Sequence, residues 1–396
     1  MKANSRTIKR TKYVGFEAIN FVLRPLHTSL ISLLVIRLFS VDLWGEFVLF
    51  LVSIELFTTV LNWGQKPFLL REFSLKPNEI SKYWSRAVYS RIPLLLLSLL
   101  TLGVVPMLQA YFLPLLLWVV FKWLSSLFEA FIQFHRKYSW SISAEITALL
   151  AALICIWFFA EEMTLERLIY VFSFSAIIKL IVLLPLIPKW EIPKFSIQEI
   201  KPELLFSLPF LALSIAGLLQ TKGDLYVVTY FLQENKIANY QIIIGFLILA
   251  QTFSSIVLGP FLKNIYRWQG NNINKLKKLY LQIGFFTSVV FSIALYFILH
   301  HLYLVDLTCW HLLLFFAYIY PLYFYLIESQ IILKHKKEKL LLQSTLIAAL
   351  CNISLSLLLV PIFGIFGALA SGIVCRLILA GLVVRHSKII MNSYVN

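Results

Sequence analysis

The chain has 396 residues, of which 60% are hydrophobic and 14% charged, with a formal net charge of +16 and a mean hydropathy of +0.83. Ordinary soluble globules carry about 25% charged residues, so that class is excluded and a polytopic membrane protein is indicated. The basic excess is the kind that cytoplasmic loops supply, so no nucleic-acid partner is expected.

The first dozen residues are polar, and the apolar stretch that follows is long enough to span a bilayer without a small-residue cleavage site. The first helix is therefore expected to be retained rather than removed as a signal peptide. A window of about twenty residues then picks out about twelve spans. They cover 13 to 36, 46 to 65, 91 to 109, 112 to 134, 141 to 160, 168 to 187, 204 to 231, 237 to 262, 279 to 299, 309 to 333, 341 to 361 and 364 to 386. With the N-terminus inside, the cytoplasmic segments hold 27 of the 35 Lys and Arg residues, which places both termini in the cytoplasm. The expected fold is an all-α polytopic membrane protein of two six-helix lobes, residues 1–190 and 204–396. A cytoplasmic linker, 191–203, joins them, as in transporters built from repeats.

No outer loop is long enough to fold alone. Cys155, Cys309, Cys351 and Cys375 fall in apolar segments without metal-ligand or paired spacing, so they are expected to fill core and no metal site is indicated. There is no phosphate-binding loop of the G-x-x-x-x-G-K-[ST] type and no hydrolase or zinc motif. The chain is therefore not expected to be an enzyme or to need a cofactor, and an ion or substrate gradient must drive any transport.

Charges within the spans carry the most information, because each costs about 2.5–3.5 kcal/mol at a helix centre on insertion scales and so faces a partner or water. Arg24, Glu55, Lys122, Lys179 and Arg376 lie near mid-span. In the first span Glu17, Asn20, Arg24 and His27 share one helical face. In the second, Glu55, Thr58, Thr59, Asn62 and Lys66 do so, and in the fourth Lys122, Ser125, Ser126, Glu129, Gln133 and Arg136. The seventh carries Ser207, Ser214, Thr221 and Asp224.

Polar stripes of this kind line a wet cavity or pair with one another. Arg24 with Glu55 and Lys122 with Glu129 could form structural ion pairs. Lys179 and Arg376 have no acid within a turn of their own helix and suit an anionic ligand. Glu145 and Glu328, near cytoplasmic helix ends, are expected to be solvated. The aromatic run Tyr318, Tyr320, Tyr323, Phe324 and Tyr325 around Pro321 could stack on sugar rings or simply pack.

Asn352 to Gly372 reads NISLSLLLVPIFGIFGALASG, a hairpin in which an apolar run ends at Pro361 and the chain turns at Gly364. Gly364, Ala368 and Gly372 then form a small-residue stripe that lets another helix approach closely. Its order, N-x8-P-x-x-G-x-x-G-A-x-A-S, resembles the last two helices of polysaccharide (O-antigen, Wzx-type) flippases. Arg37, Leu38, Gly45 and Phe47 are similar to that family's first outer loop, and Gly64 followed by Arg71 to the inner end of its second helix. Pro209, Asp224 and the Asn239-Tyr240 pair resemble its seventh and eighth helices. Arg37, Gly45, Gly64, Arg71, Asn352, Pro361, Gly364 and Gly367 are accordingly expected to be structural.

The resemblance implies a member of the multidrug/oligosaccharidyl-lipid/polysaccharide exporter superfamily with alternating access. The implied cargo is an oligosaccharide on undecaprenyl diphosphate, turned across the bacterial cytoplasmic membrane for surface polysaccharide, with a polysaccharide polymerase and a chain-length regulator as partners. From the residues themselves, Arg24, Lys122, Lys179 and Arg376, with Asn20 and His27, are candidates for holding the diphosphate or acidic sugars. Glu55, Glu129 and Asp224 are candidates for ion coupling. A multidrug exporter of the same fold is the rival reading, and a membrane polymerase or ligase the more distant one.

Overall fold

A computed structural model describes residues 2–187, 197–262, 265 and 271–393, with the side chains of the first fourteen residues, of Glu17 and of the residues up to 202 in the seventh helix left out. Part of the expected linker, 191–196, lies outside the described residues, as does the side chain of Glu17. Among the described residues the chain is all helix and connecting turns, with no strand, and 12 helices are long and apolar enough to cross a membrane. They run Ala18–Leu38, Val41–Leu75, Pro77–Val104, Phe112–His135, Tyr138–Phe158, Leu165–Leu186, Glu203–Phe231, Glu234–Leu258, Asn272–Leu302, Trp310–Lys334, Glu338–Phe363 and Ile365–Asn392. This agrees with the expected count and order. The physical reason is that hydrocarbon offers no partner to a free N–H or C=O, so every spanning segment closes its own hydrogen bonds.

Interruptions in these helices have local causes. The second span breaks after Asn62, where Trp63 (φ 44°) and Gly64 (φ 64°) are left-handed, and resumes at Gln65. A Cβ on Gly64 would stand 2.5 Å from Phe210 Cβ and 2.6 Å from the Leu211 nitrogen, so only glycine admits both the turn and the close approach. In the tenth span, helix Trp310–Ile319 gives way at Tyr320 and Pro321 to helix Leu322–Lys334, as expected where a proline lacks the N–H to continue.

The last hairpin differs in detail from the sequence reading. Helix Glu338–Phe363 runs through Pro361 and stops only at Gly364 (φ 56°), whose N–H donates to the Val360 carbonyl at 2.8 Å. Pro361 forfeits the bond its N–H would make to the Leu357 carbonyl, but only two residues of helix follow it, so little of the helix is displaced. The close helix approach also lies elsewhere: a Cβ on Gly367 would come within 2.3 Å of the Leu359 carbonyl oxygen, whereas nothing lies near Gly364. At Gly372 the nearest neighbour is the Tyr318 ring, not a helix backbone. The small-residue stripe thus accommodates side chains, and Gly367 makes the backbone contact.

Packing divides the chain into two compact units, one of 1–27 and 46–215, the other of 28–45 and 216–396. The lobes expected in chain order, 1–190 and 204–396, differ from these in that 28–45 groups with the second unit and 204–215 with the first. Long helices that cross the bilayer share their two ends between units, so an assignment by whole helices is coarser than the packing.

Within the second unit, Gly45 sits so close to the start of the eighth span that a Cβ would fall 2.0 Å from the Glu234 carbonyl oxygen. Nearby, Trp44 donates to Gln241 at 2.9 Å. Arg37 donates to the carbonyls of Leu302 (2.7 Å) and His301 (2.8 Å), satisfying the end of the ninth span, which closes in a wide turn at 298–302. Within the first unit, Arg71 pairs with Glu72 at 3.2 Å and lies over the Phe210 ring. The motif residues therefore sit at helix ends and close approaches. Cys375 is buried as expected, whereas Cys309 is exposed, since it precedes the tenth span instead of lying in it.

Candidate functional site

The first unit holds a cluster of charges drawn from five spans. Arg24 Nη1 pairs with Glu129 at 2.8 Å and Arg24 Nε approaches Glu145 at 3.5 Å. Lys66 meets the other oxygen of Glu129 at 3.1 Å, and Lys179 pairs with Glu145. His27 completes the set, with Nδ1 3.6 Å from Glu145 and Nε2 3.5 Å from the Ser175 hydroxyl. Asn20, one turn before Arg24, accepts from Ser141 at 2.7 Å, and Asn62 accepts from Ser126 at 2.6 Å. Each span brings its group inward because its polar stripe has the helical period, and the stripes meet where lipid cannot reach.

Several expectations are corrected here. Arg24 finds its acids on the fourth and fifth spans, Glu129 and Glu145, in place of Glu55 on the second. Glu129 is shared by Arg24 and Lys66. Lys179, expected to lack a counter-charge because its own helix offers none, is neutralised across the helix interface by Glu145. Glu145 itself, expected in solvent, is 4% exposed and is the most heavily shared acid of the cluster. Glu328 is likewise buried, accepting from Ser387 and pairing with Lys277 at 2.6 Å. In both cases distance from the helix end misled, because a neighbouring helix covers the terminus. Lys66 lies on the polar stripe of the second span without a role of its own in the sequence reading, and Glu145 follows Ser141 by one turn on the fifth span, a weaker signal.

The other candidates are placed as follows. Glu55 is half-buried, and its backbone carbonyl accepts from Thr58 and Thr59. The Lys122 ammonium stands 5.7 Å over the Trp118 ring, within cation–π range. In the second unit, Arg376 is buried at 2% exposure, stacked 3.5 Å over the Tyr318 ring and donating to the Gly372 carbonyl at 2.9 Å. Asp224 accepts from the Tyr240 hydroxyl at 2.7 Å and from the Leu225 N–H at 2.9 Å. A Cβ on Gly372 would lie 3.1 Å from Asp224 Oδ2 and 3.2 Å from Arg376 Nη1, so these two charges are close neighbours. Asn352, fully buried, donates to the Gln220 carbonyl at 3.4 Å.

Tyr318 and Tyr323 are buried packing groups, the latter accepting from the Thr287 hydroxyl at 2.9 Å, so of the two roles open to the aromatic run these two fill the packing one. No group of three or more metal-ligating side chains occurs among the described residues.

No known family profile matches the sequence, and no curated protein resembles it significantly. Solved structures do. The lipid II flippase MurJ, in an inward closed conformation, superposes with a TM-score of 0.59 over 96% of this chain and 87% of its own, at 17% identity. The multidrug transporter DinF-BH in complex with R6G gives 0.64 over 94% and 93%, at 12% identity. A multidrug resistance transporter of the MOP superfamily, inward-facing, gives 0.57 over 96% and 94%, at 12% identity. The chain shares the fold of these structures. These neighbours include a lipid II flippase and a multidrug transporter, so the shared fold does not decide between such cargoes for this chain.

Proposed function

We propose that the protein is a secondary flippase that moves a polyprenyl-diphosphate-linked oligosaccharide across the bacterial cytoplasmic membrane for surface polysaccharide synthesis. The observation that carries this reading is the charge balance of the first unit's cluster. Among the described residues Arg24, Lys66 and Lys179 face Glu129 and Glu145, so three cations against two carboxylates leave one net positive charge where apolar helices would otherwise meet. Guanidinium and ammonium groups held by shared carboxylates can exchange those oxygens for the oxygens of a diphosphate at small net cost, since both are charge-assisted bonds. The side chains of Arg24 and Lys179 are 35% and 24% exposed, which leaves them reachable. Asn20, His27 and Lys122 are further contacts to the head group, and Glu129, Glu55 and Asp224 the groups for ion coupling.

The multidrug fold neighbours raise the second reading. A cationic drug would meet a cluster with excess positive charge, which disfavours that cargo. Replacing Arg24 by Gln tests the proposal: surface polysaccharide should be lost while the protein remains in the membrane at its normal level. Unchanged polysaccharide would remove Arg24 from the site.

A further inference from the structure

At the break in the second span, adjoining the charged cluster through Lys66 and Glu129, the first unit contains a cavity of about 210 Å³. Its polar lining is Thr59, Asn62, Gln65, Lys66, Ser126, Glu129 and Ser214, and among the described residues no aromatic ring borders it. The sequence reading made Asn62, Ser126 and Lys66 parts of polar stripes and gave Gln65 no role.

Gln65 is the informative residue. It is 3% exposed, and neither its amide nitrogen nor its amide oxygen has a hydrogen-bond partner among the described residues. Leaving both ends of a buried amide unmatched is costly, and such groups ask for an explanation. The left-handed Gly64, packed on the Phe210–Leu211 backbone, forces the turn that sets Gln65 on the cavity wall. Its neighbours are already committed: Asn62 accepts from Ser126 at 2.6 Å, and Lys66 and Glu129 neutralise each other at 3.1 Å.

The chemistry of the lining selects a ligand class. A free cation would face Lys66 and a free anion would face Glu129, so the cavity favours a neutral group. An amide that lacks both an acceptor and a donor is matched by hydroxyls, which are both. Pockets for drug-sized ligands begin at about 300 Å³, and at about 30 Å³ per water this one holds roughly seven waters or one sugar-sized ring. We infer that Gln65 and the hydroxyl and amide groups around it form a binding site for one neutral sugar residue, read by hydrogen bonds and not by stacking. The assignment rests on the flippase reading above and gives it a determinant of sugar specificity.

The test uses the full chain in lipid nanodiscs and four probes: undecaprenyl diphosphate bare, or carrying one neutral hexose, one N-acetylhexosamine or one 6-deoxyhexose. At least one sugar-bearing lipid should bind more tightly than the bare one. Gln65→Leu should erase that gain, roughly five- to 150-fold for two hydrogen bonds, while leaving affinity for the bare diphosphate unchanged. The unchanged bare affinity also shows that the variant is folded. A gain that survives in Gln65→Leu, or no gain with any sugar, would show that the cavity holds water only and would overturn the assignment. Failure of the wild-type protein to bind even the bare lipid would overturn the flippase reading, and this assignment with it; retained binding of the bare lipid separates the two outcomes.

Discussion

The ion pair between Arg91 and Glu203 offers the sharpest test of how the first unit is held together. Arg91 is 0% exposed and its Nη1 donates to Glu203 Oε1 at 2.5 Å and to Ser90 at 2.6 Å; Nε and Nη2 have no partner among the described residues. Glu203 opens the seventh span, and the next turn is fixed to the same unit by Trp63 donating to the Leu204 carbonyl at 3.0 Å. Glu203→Ala would leave a fully buried guanidinium with only Ser90 and the Ala87 carbonyl to answer it. Breaking one side of a buried pair costs about 3–5 kcal/mol. For a unit of this size that is a fall in melting temperature of roughly 6–20 °C, at about 2–4 °C per kcal/mol. The measurement is thermal unfolding in lipid or detergent of Glu203→Ala, Arg91→Met and the double variant. The double should recover much of the loss, because removing both charges removes the desolvation penalty as well. Equal melting temperatures for wild type and Glu203→Ala would refute the reasoning, as would additivity in the double.

Other consequences follow from the same distances. Glu145→Gln should lower stability by about 1.5–3 kcal/mol, the worth of hydrogen bonds to charged partners, since it leaves Lys179 and Arg24 short of an acid in a partly wet cluster; thermal unfolding reads the loss. Gly45→Ala should destabilise by about 1–3 kcal/mol through overpacking, its Cβ falling 2.0 Å from the Glu234 carbonyl oxygen. Gly245→Ala, with nothing within 4 Å, should be neutral or stabilise by about 0.5–1 kcal/mol as Gly is removed from a helix interior; comparing the two melting temperatures checks the glycine assignments.

The spans were legible in the sequence because hydrocarbon imposes one rule on every spanning segment, and hydropathy reads that rule directly. Their inward faces were legible too: Asn20, Arg24 and His27 emerge on one stripe, and all three face partners. What did not show was which stripe meets which. Glu145 pairs with residues 121 and 34 positions away, Arg24 and Lys179, and no periodicity within a helix encodes that register. The same limit explains Glu328, whose partners Lys277 and Ser387 come from two other spans. Gln65 was missed for a different reason. Its importance comes from being buried without a partner at a break, and a lone glutamine beside a glycine carries no such mark in sequence.

The four central cations also separate once their surroundings are known. A side chain that binds and releases cargo must leave its resting partners without a large penalty. Arg376 is 2% exposed, enclosed by the Tyr318 ring and the Gly372 carbonyl with Asp224 nearby, so freeing it costs what any buried charge costs. Arg24 is a third exposed, and its two acids each keep another cation, Lys66 for Glu129 and Lys179 for Glu145. Removing the Arg24 charge therefore strands no carboxylate, whereas removing Arg376 disturbs Asp224 and the Tyr318 stack together. Arg24→Gln should keep its stability within about 1 kcal/mol, the scale of a partly exposed pair, and lose surface polysaccharide. Arg376→Gln should lose stability by several kcal/mol, with polysaccharide falling only as the amount of folded protein falls. If Arg376→Gln folds normally and abolishes polysaccharide, then Arg376 is a cargo ligand after all, and the sorting of cations by exposure is wrong.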